Sequence, residues 1–159
     1  MTSTADLLTL LRRDPGRPRL TWYAADGDRV ELSGAVLDNW VSKTTNLLVE
    51  ELDVGPGSRV LLALPMHWRA VVWALAVWRA GATVVLADAP AGDADVMVTD
   101  QPDARVPGAA ALVVVSLPAL ARRYAGTLPP DALDAASSVM TYGDVIGWAP
   151  QTEIGRAHV

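Results

Sequence analysis

Between Ser33 and Gly55 the apolar positions Val36, Leu37, Trp40, Val41, Leu47, Leu48 and Leu52 recur at three- and four-residue spacing, with Thr44 in the same stripe. That period predicts an amphipathic helix. Ser33 stands where a helix N-cap belongs, and Val54-Gly55-Pro56-Gly57 supplies the stop. Upstream, Leu7, Leu8, Leu10 and Leu11 form one side of a short helix over Ala5 to Arg13, read as a docking helix and closed by Asp14-Pro15-Gly16. Leu20 to Tyr23 and Arg29 to Leu32 flank Ala24-Ala25-Asp26-Gly27-Asp28, which predicts a small hairpin.

Past Gly57 the pattern changes. Arg59 to Leu64 and Thr83 to Ala87 are nearly continuous apolar runs, the signature of strands buried on both faces. Between them, His67 to Ala80 is apolar almost all round and ends at Gly81, a usual helix-stopping position. Strand, helix and strand with such short joints make a crossover unit, right-handed in nearly all parallel sheets. Asp95 to Thr99 and Leu112 to Ser116 predict two more parallel strands, Pro118 to Ala125 and Pro130 to Ser137 two short helices, and Thr141 to Gln151 has no clear period. The expected fold is α/β: a mostly parallel sheet flanked by helices, with a small N-terminal hairpin.

Composition narrows the partners. A net charge of −5 and a lone lysine, Lys43, among the basic residues give no footprint for nucleic acid. The longest uncharged apolar run, Ala70 to Trp78, is far short of the ~18 residues of a membrane span. Met1 to Leu11 lacks the basic and apolar regions of a signal peptide, so a cytoplasmic location is expected. The absence of cysteine removes disulfides, thiolate metal sites and cysteine nucleophiles.

The last seven residues, Glu153 to Val159, match the translation of GAG ATC GGA AGA GCA CAC GTC. Apart from the leading base or two, that is the start of a widely used short-read sequencing adapter, and its next bases in this frame read TGA, a stop. The expectation is an adapter-encoded tail over 153–159 behind a single domain over 1–152, which sets His158 aside from functional argument.

The stretch Leu32 to Asp88 carries a family likeness. Its elements are the helix led by Leu32 and Ser33 with Asn39 and Asn46, the join Val54-Gly55-Pro56-Gly57-Ser58-Arg59-Val60, the strand end Leu64-Pro65, and Trp78-Arg79-Ala80-Gly81-Ala82 before Thr83-Val84-Val85. In this order it resembles the N-terminal portion of the AMP-forming acyl-adenylate and acyl-CoA synthetases. Met66-His67-Trp68 and Tyr142-Gly143-Asp144 make it most similar to that superfamily's short members of uncharacterised function. The resemblance implies, for a complete active relative, ATP and Mg²⁺ as cofactors and a carboxylate converted to acyl-AMP with release of pyrophosphate, with CoA as a further ligand. Such a relative needs a Ser/Thr/Gly-rich phosphate loop with a lysine, an adenine-binding segment, an acidic ribose contact and a C-terminal domain with a catalytic lysine. None of these is read in this sequence, so the chain is expected to be catalytically incompetent by itself. The alternative is a short non-catalytic relative that binds a nucleotide, an acyl ligand or a protein partner.

Two residues are candidates for a ligand-binding rim. His67 and Asp88 each follow a predicted parallel strand, and ligands of open α/β sheets bind at that end. A helix N-terminus also disfavours the imidazolium, which would leave His67 neutral, although one histidine without an orienting partner is more often a cap. Asp93, Asp95, Asp100 and Asp103 could hold Mg²⁺ but lie in a loop-rich stretch and read as solvated surface. The glycines at 55 and 57 follow a helix and precede a strand, the reverse of a phosphate cradle. No G-x-S-x-G elbow occurs, and Trp68, Trp73 and Trp78 on one apolar helix are expected in the core.

Overall fold

A computed structural model describes residues 3–87 and 93–148 and the backbone of 157–158. The first helix, α1 (Thr4–Arg12), begins with a reciprocal capping box between Ser3 and Asp6. It presents Leu8 to the core, with Leu7 and Leu11 partly buried beside it. Arg12 Nε lies 2.5 Å from Asp38 Oδ2 on the next helix, so the docking role is met by both apolar and ionic contact. The strands β1 (Pro18–Tyr23) and β2 (Arg29–Ser33) form the expected antiparallel hairpin, with Trp22 opposite Val30.

Ser33 caps α2 (Gly34–Glu50), its hydroxyl accepting the Val36 N–H at 3.3 Å. Val41, Leu47 and Leu48 on this helix are fully buried, each contributing up to about 1.5–3 kcal/mol by removal from water. The helix ends through Asp53, which takes the left-handed conformation at φ 52°. α3 (Trp68–Arg79) ends in a Schellman motif. Gly81 at φ 86° donates to Trp78 O and Ala82 N–H to Val77 O, which satisfies carbonyls the helix would leave open.

The main sheet contains β3 (Arg59–Ala63), β4 (Thr83–Leu86), β5 (Val96–Thr99), β6 (Ala111–Val114), β7 (Ala132–Asp134) and the two-residue β8 (Ala157–His158). Its order is β7-β6-β5-β3-β4-β8 and every neighbouring pair is parallel. Alternation along the strands divides the core. Val60, Leu62, Val84, Val96, Val98 and Val113 face the helices, in a cluster that also holds α4 (Ala135–Val139). Leu61, Val85, Met97, Leu112 and Val114 face a smaller cluster completed by Ala94, Val106, Tyr124 and Leu128, to which no residue of α1 to α4 belongs. The second face is thus covered by irregular chain.

Two expected helices are corrected. Residues 118–125 form turns, and the Tyr124 N–H is taken at 2.9 Å by Asp134 Oδ2 in place of a helical carbonyl. Residues 130–137 divide: the chain extends over Ala132–Asp134 to pair with β6, then turns helical because Asp134 Oδ1 accepts from Ala136 N–H at 3.0 Å and caps α4. Among the described residues no helix is long and apolar enough to cross a membrane.

Candidate functional site

The strand order reverses at β3. From β3 the chain crosses α3 to β4 on one side, then returns to β5 on the other side and continues outward to β6 and β7. The crevice beyond the carboxyl ends of β3 and β5 is therefore the topological switch point, where open α/β sheets place their ligands. Pro65-Met66-His67 follows β3, Asp100 follows β5 and Ser116 lies just past β6, so these ends form one rim.

His67 is at that rim but turned inward. It is buried, and its Nδ1 accepts the Arg69 N–H at 3.2 Å as the cap of α3. Its ring centroid is 4.3 Å from that of Trp22 on the hairpin and 5.6 Å from that of Trp68. Trp22 Nε1 donates to Met66 O at 3.0 Å, which fixes the hairpin against the rim. Burial pushes the His67 pKa below the usual histidine value, the charge of Arg69 adds to that, and Asp100 acts the other way. The ring is neutral at pH 7, and with Nδ1 accepting, its proton belongs on Nε2. The geometry makes His67 a capping and packing residue of the rim.

Asp88 lies outside the described residues. Among the described residues no group of three His, Asp or Glu is placed to hold a metal ion, and Asp95 instead accepts the Arg59 N–H at 2.8 Å, tying the start of β3 to β5. The Gly55-Gly57 join is at the opposite rim, where β3 begins. Its amides serve the turn itself: Gly55 N–H donates to Ser58 Oγ at 3.1 Å and Ser58 N–H to Gly55 O at 3.0 Å. Amides committed inside the turn in this way are not available to cradle phosphate oxygens.

Arg69 is the residue that sequence reasoning passed over. It is buried, its guanidinium carbon is 4.3 Å from the Trp68 ring centroid and 5.2 Å from that of Trp40, and burial brings its pKa down to about 10. The available signal was a permanent cation inside an otherwise apolar helical run, which must find acceptors or rings once buried.

The pattern of a family described as AMP-binding enzyme matches residues 9–124. Over 151 residues the chain is 42% identical to a TIGR03089 family protein of Mycobacterium tuberculosis, covering 91% of this chain and 61% of that protein. Among solved structures, acetoacetyl-CoA synthetase from Streptomyces lividans superposes with a TM-score of 0.76 at 18% identity, over 96% of this chain and 27% of the synthetase. A Brucella canis acyl-CoA synthetase gives 0.69 at 20% identity over 85% of this chain and 26% of its own. An anthranilate CoA ligase in complex with anthranoyl-AMP gives 0.69 at 15% identity, over 97% and 30%. The chain thus spans about three fifths of the curated relative and less than a third of each solved enzyme.

Proposed function

Because this chain belongs to the family of AMP-binding enzymes, we propose that it supplies the N-terminal parallel-sheet portion of an acyl-adenylate synthetase-like protein and forms no acyl-adenylate by itself. The observation that carries this reading is the position of its glycine-rich join. The join is at the amino ends of the strands, bonded within its own turn, while the switch-point rim holds capping and packing residues. Binding and activating a nucleotide would fall to residues beyond this segment. The test is ATP–pyrophosphate exchange by the purified chain with a panel of short-, medium- and long-chain and aromatic carboxylates. No exchange above the no-enzyme rate is expected; exchange with any carboxylate would overturn the reading.

A second reading has its own support. The same chain fills 61% of the curated relative but 26–30% of the solved synthetases and ligase, so that relative is about half their length or less. A protein of that size favours a short family member that binds a ligand without completing the adenylation machinery. Exchange assayed on the product of the complete source locus separates the two: activity there favours the synthetase, and saturable ligand binding without exchange favours the short binder.

A further inference from the structure

The hairpin reaches the switch-point rim through Trp22. The base of the hairpin is fixed: Gly34 N–H, one residue beyond β2, donates to Arg17 O at 3.0 Å, and Leu32 is buried in the core. Its far end stands in solvent, with Tyr23 69% exposed and residues 25–29 exposed. Between the two, Trp22 Nε1 donates to Met66 O at 3.0 Å, and the indole rests against His67 at a centroid separation of 4.3 Å and a tilt of 55°. Both contacts fall on the turn that joins β3 to α3.

His67 is held in turn by the helix it caps. Its Nδ1 accepts the Arg69 N–H at 3.2 Å, so the lone pair that makes the cap is the one a proton would take. An imidazolium has no acceptor to offer the helix, and it would stand at the positive end of α3 beside the Arg69 charge. Burial adds a third penalty. The charged groups acting on the ring are Arg69 on α3 and, favouring the cation, Asp100 just past β5; the hairpin brings Trp22, which does not titrate. The Trp22 face would attract an imidazolium, but that single attraction opposes the lost cap, the Arg69 charge and the burial together. A protonated ring is driven to turn toward water, and turning removes the surface on which Trp22 rests.

We propose that His67 is a proton-operated latch: its protonation frees the amino end of α3 and releases the outer half of the hairpin from the switch-point rim, so that the turn at 65–67 opens in acid while the sheet stays folded. The latch is local because the base of the hairpin and the buried strands do not depend on the ring. It stands apart from the adenylation reading, since it uses only side chains of this segment and no nucleotide.

Heteronuclear NMR of the full chain tests it, following the Trp22 indole N–H (assigned with Trp22→Phe), the Arg69 amide and the His67 Hε1 resonance from about pH 8 to about pH 4.5. Exchange protection, corrected for the intrinsic pH dependence of exchange, should fall by about fivefold or more at the Trp22 indole and the Arg69 amide. The midpoint should match the His67 titration and lie below pH 6.5, while the amides of β3 and β5 keep their protection. His67→Asn keeps a cap acceptor without a titrating group, and its protection at both sites should not change with pH. Asp100→Asn removes the group that favours the cation and should move both midpoints down together. A midpoint apart from that of His67, the same loss in His67→Asn, or no loss across the range would each overturn the proposal. Simultaneous loss across β3 and β5 would also overturn it, because that is acid unfolding of the whole domain.

Discussion

Asn46 clamps the segment 142–147 onto α2, and replacing it by alanine should release that segment. The side chain is buried and fully used: Nδ2 donates to Gly143 O at 3.1 Å and to Val145 O at 2.8 Å, and Oδ1 accepts the Gly147 N–H at 3.0 Å. A single intramolecular hydrogen bond is worth about 0.5–1.5 kcal/mol net, so three bonds set an upper limit of about 4.5 kcal/mol. The freed backbone groups belong to a largely exposed stretch and recover water, which lowers the expected cost to about 1–2 kcal/mol. That corresponds to about a 5- to 30-fold larger opening equilibrium for the segment. Lys43 Nζ still holds Tyr142 O at 2.6 Å and the Tyr142 hydroxyl still reaches Glu51 Oε2 at 3.0 Å, so opening should be greatest from Gly143 onward. Amide hydrogen exchange resolved to the Gly147 N–H, together with urea unfolding, measures both effects. Unchanged Gly147 protection and a stability change under about 0.5 kcal/mol would refute the clamp.

Gly34→Ala should undock α1: a Cβ there would stand 2.2 Å from the Leu11 carbonyl oxygen, a backbone atom that cannot step aside. A loss of about 1–3 kcal/mol in urea unfolding is expected, and a variant as stable as the parent would show that the α1–α2 joint is soft. The His67 Hε1 resonance should titrate with an apparent pKa below 6.5, burial being the main cause and the Arg69 charge the second. A depressed folded pKa means that this group's contribution is intact above pH 6.5 and declines as pH falls through the folded value. A titration at or above 6.5 would contradict the buried neutral ring.

The sheet was legible where burial on both faces wrote continuous apolar runs, as at Arg59 to Leu64 and Thr83 to Ala87, and where end signals were chemical, as at Ser33 and Gly81. The expected helix over 118–125 failed because its signals were local. Within it Leu120 is almost fully exposed, and Asp134, ten residues beyond Tyr124, takes the Tyr124 amide. The split of 130–137 into strand and helix likewise depends on an open β6 edge, a partner no local window contains. At the tail, Ala157–His158 pairs with β4, but that ladder uses main-chain groups available to any extended sequence at an open edge, so it does not bear on how the tail is encoded.

Arg69 was hidden for a related reason. Periodicity reports which helix face is apolar but not which polar side chain will be enclosed by a neighbouring strand end. Here Ser116 beyond β6 and the carbonyls of Pro118 and Ala119 come to α3 only because β5 and β6 stack outward from the switch point. His67 itself caps α3 by accepting the Arg69 N–H, whereas the Arg69 side chain meets no carboxylate among the described residues. Of the two, the histidine sits where sheets of this kind bind ligands, yet its accepting nitrogen is already committed. The arginine, two residues on, keeps its Nε enclosed with no acceptor among the described residues. Position on the fold sets the first residue apart; the balance of donors and acceptors sets apart the second.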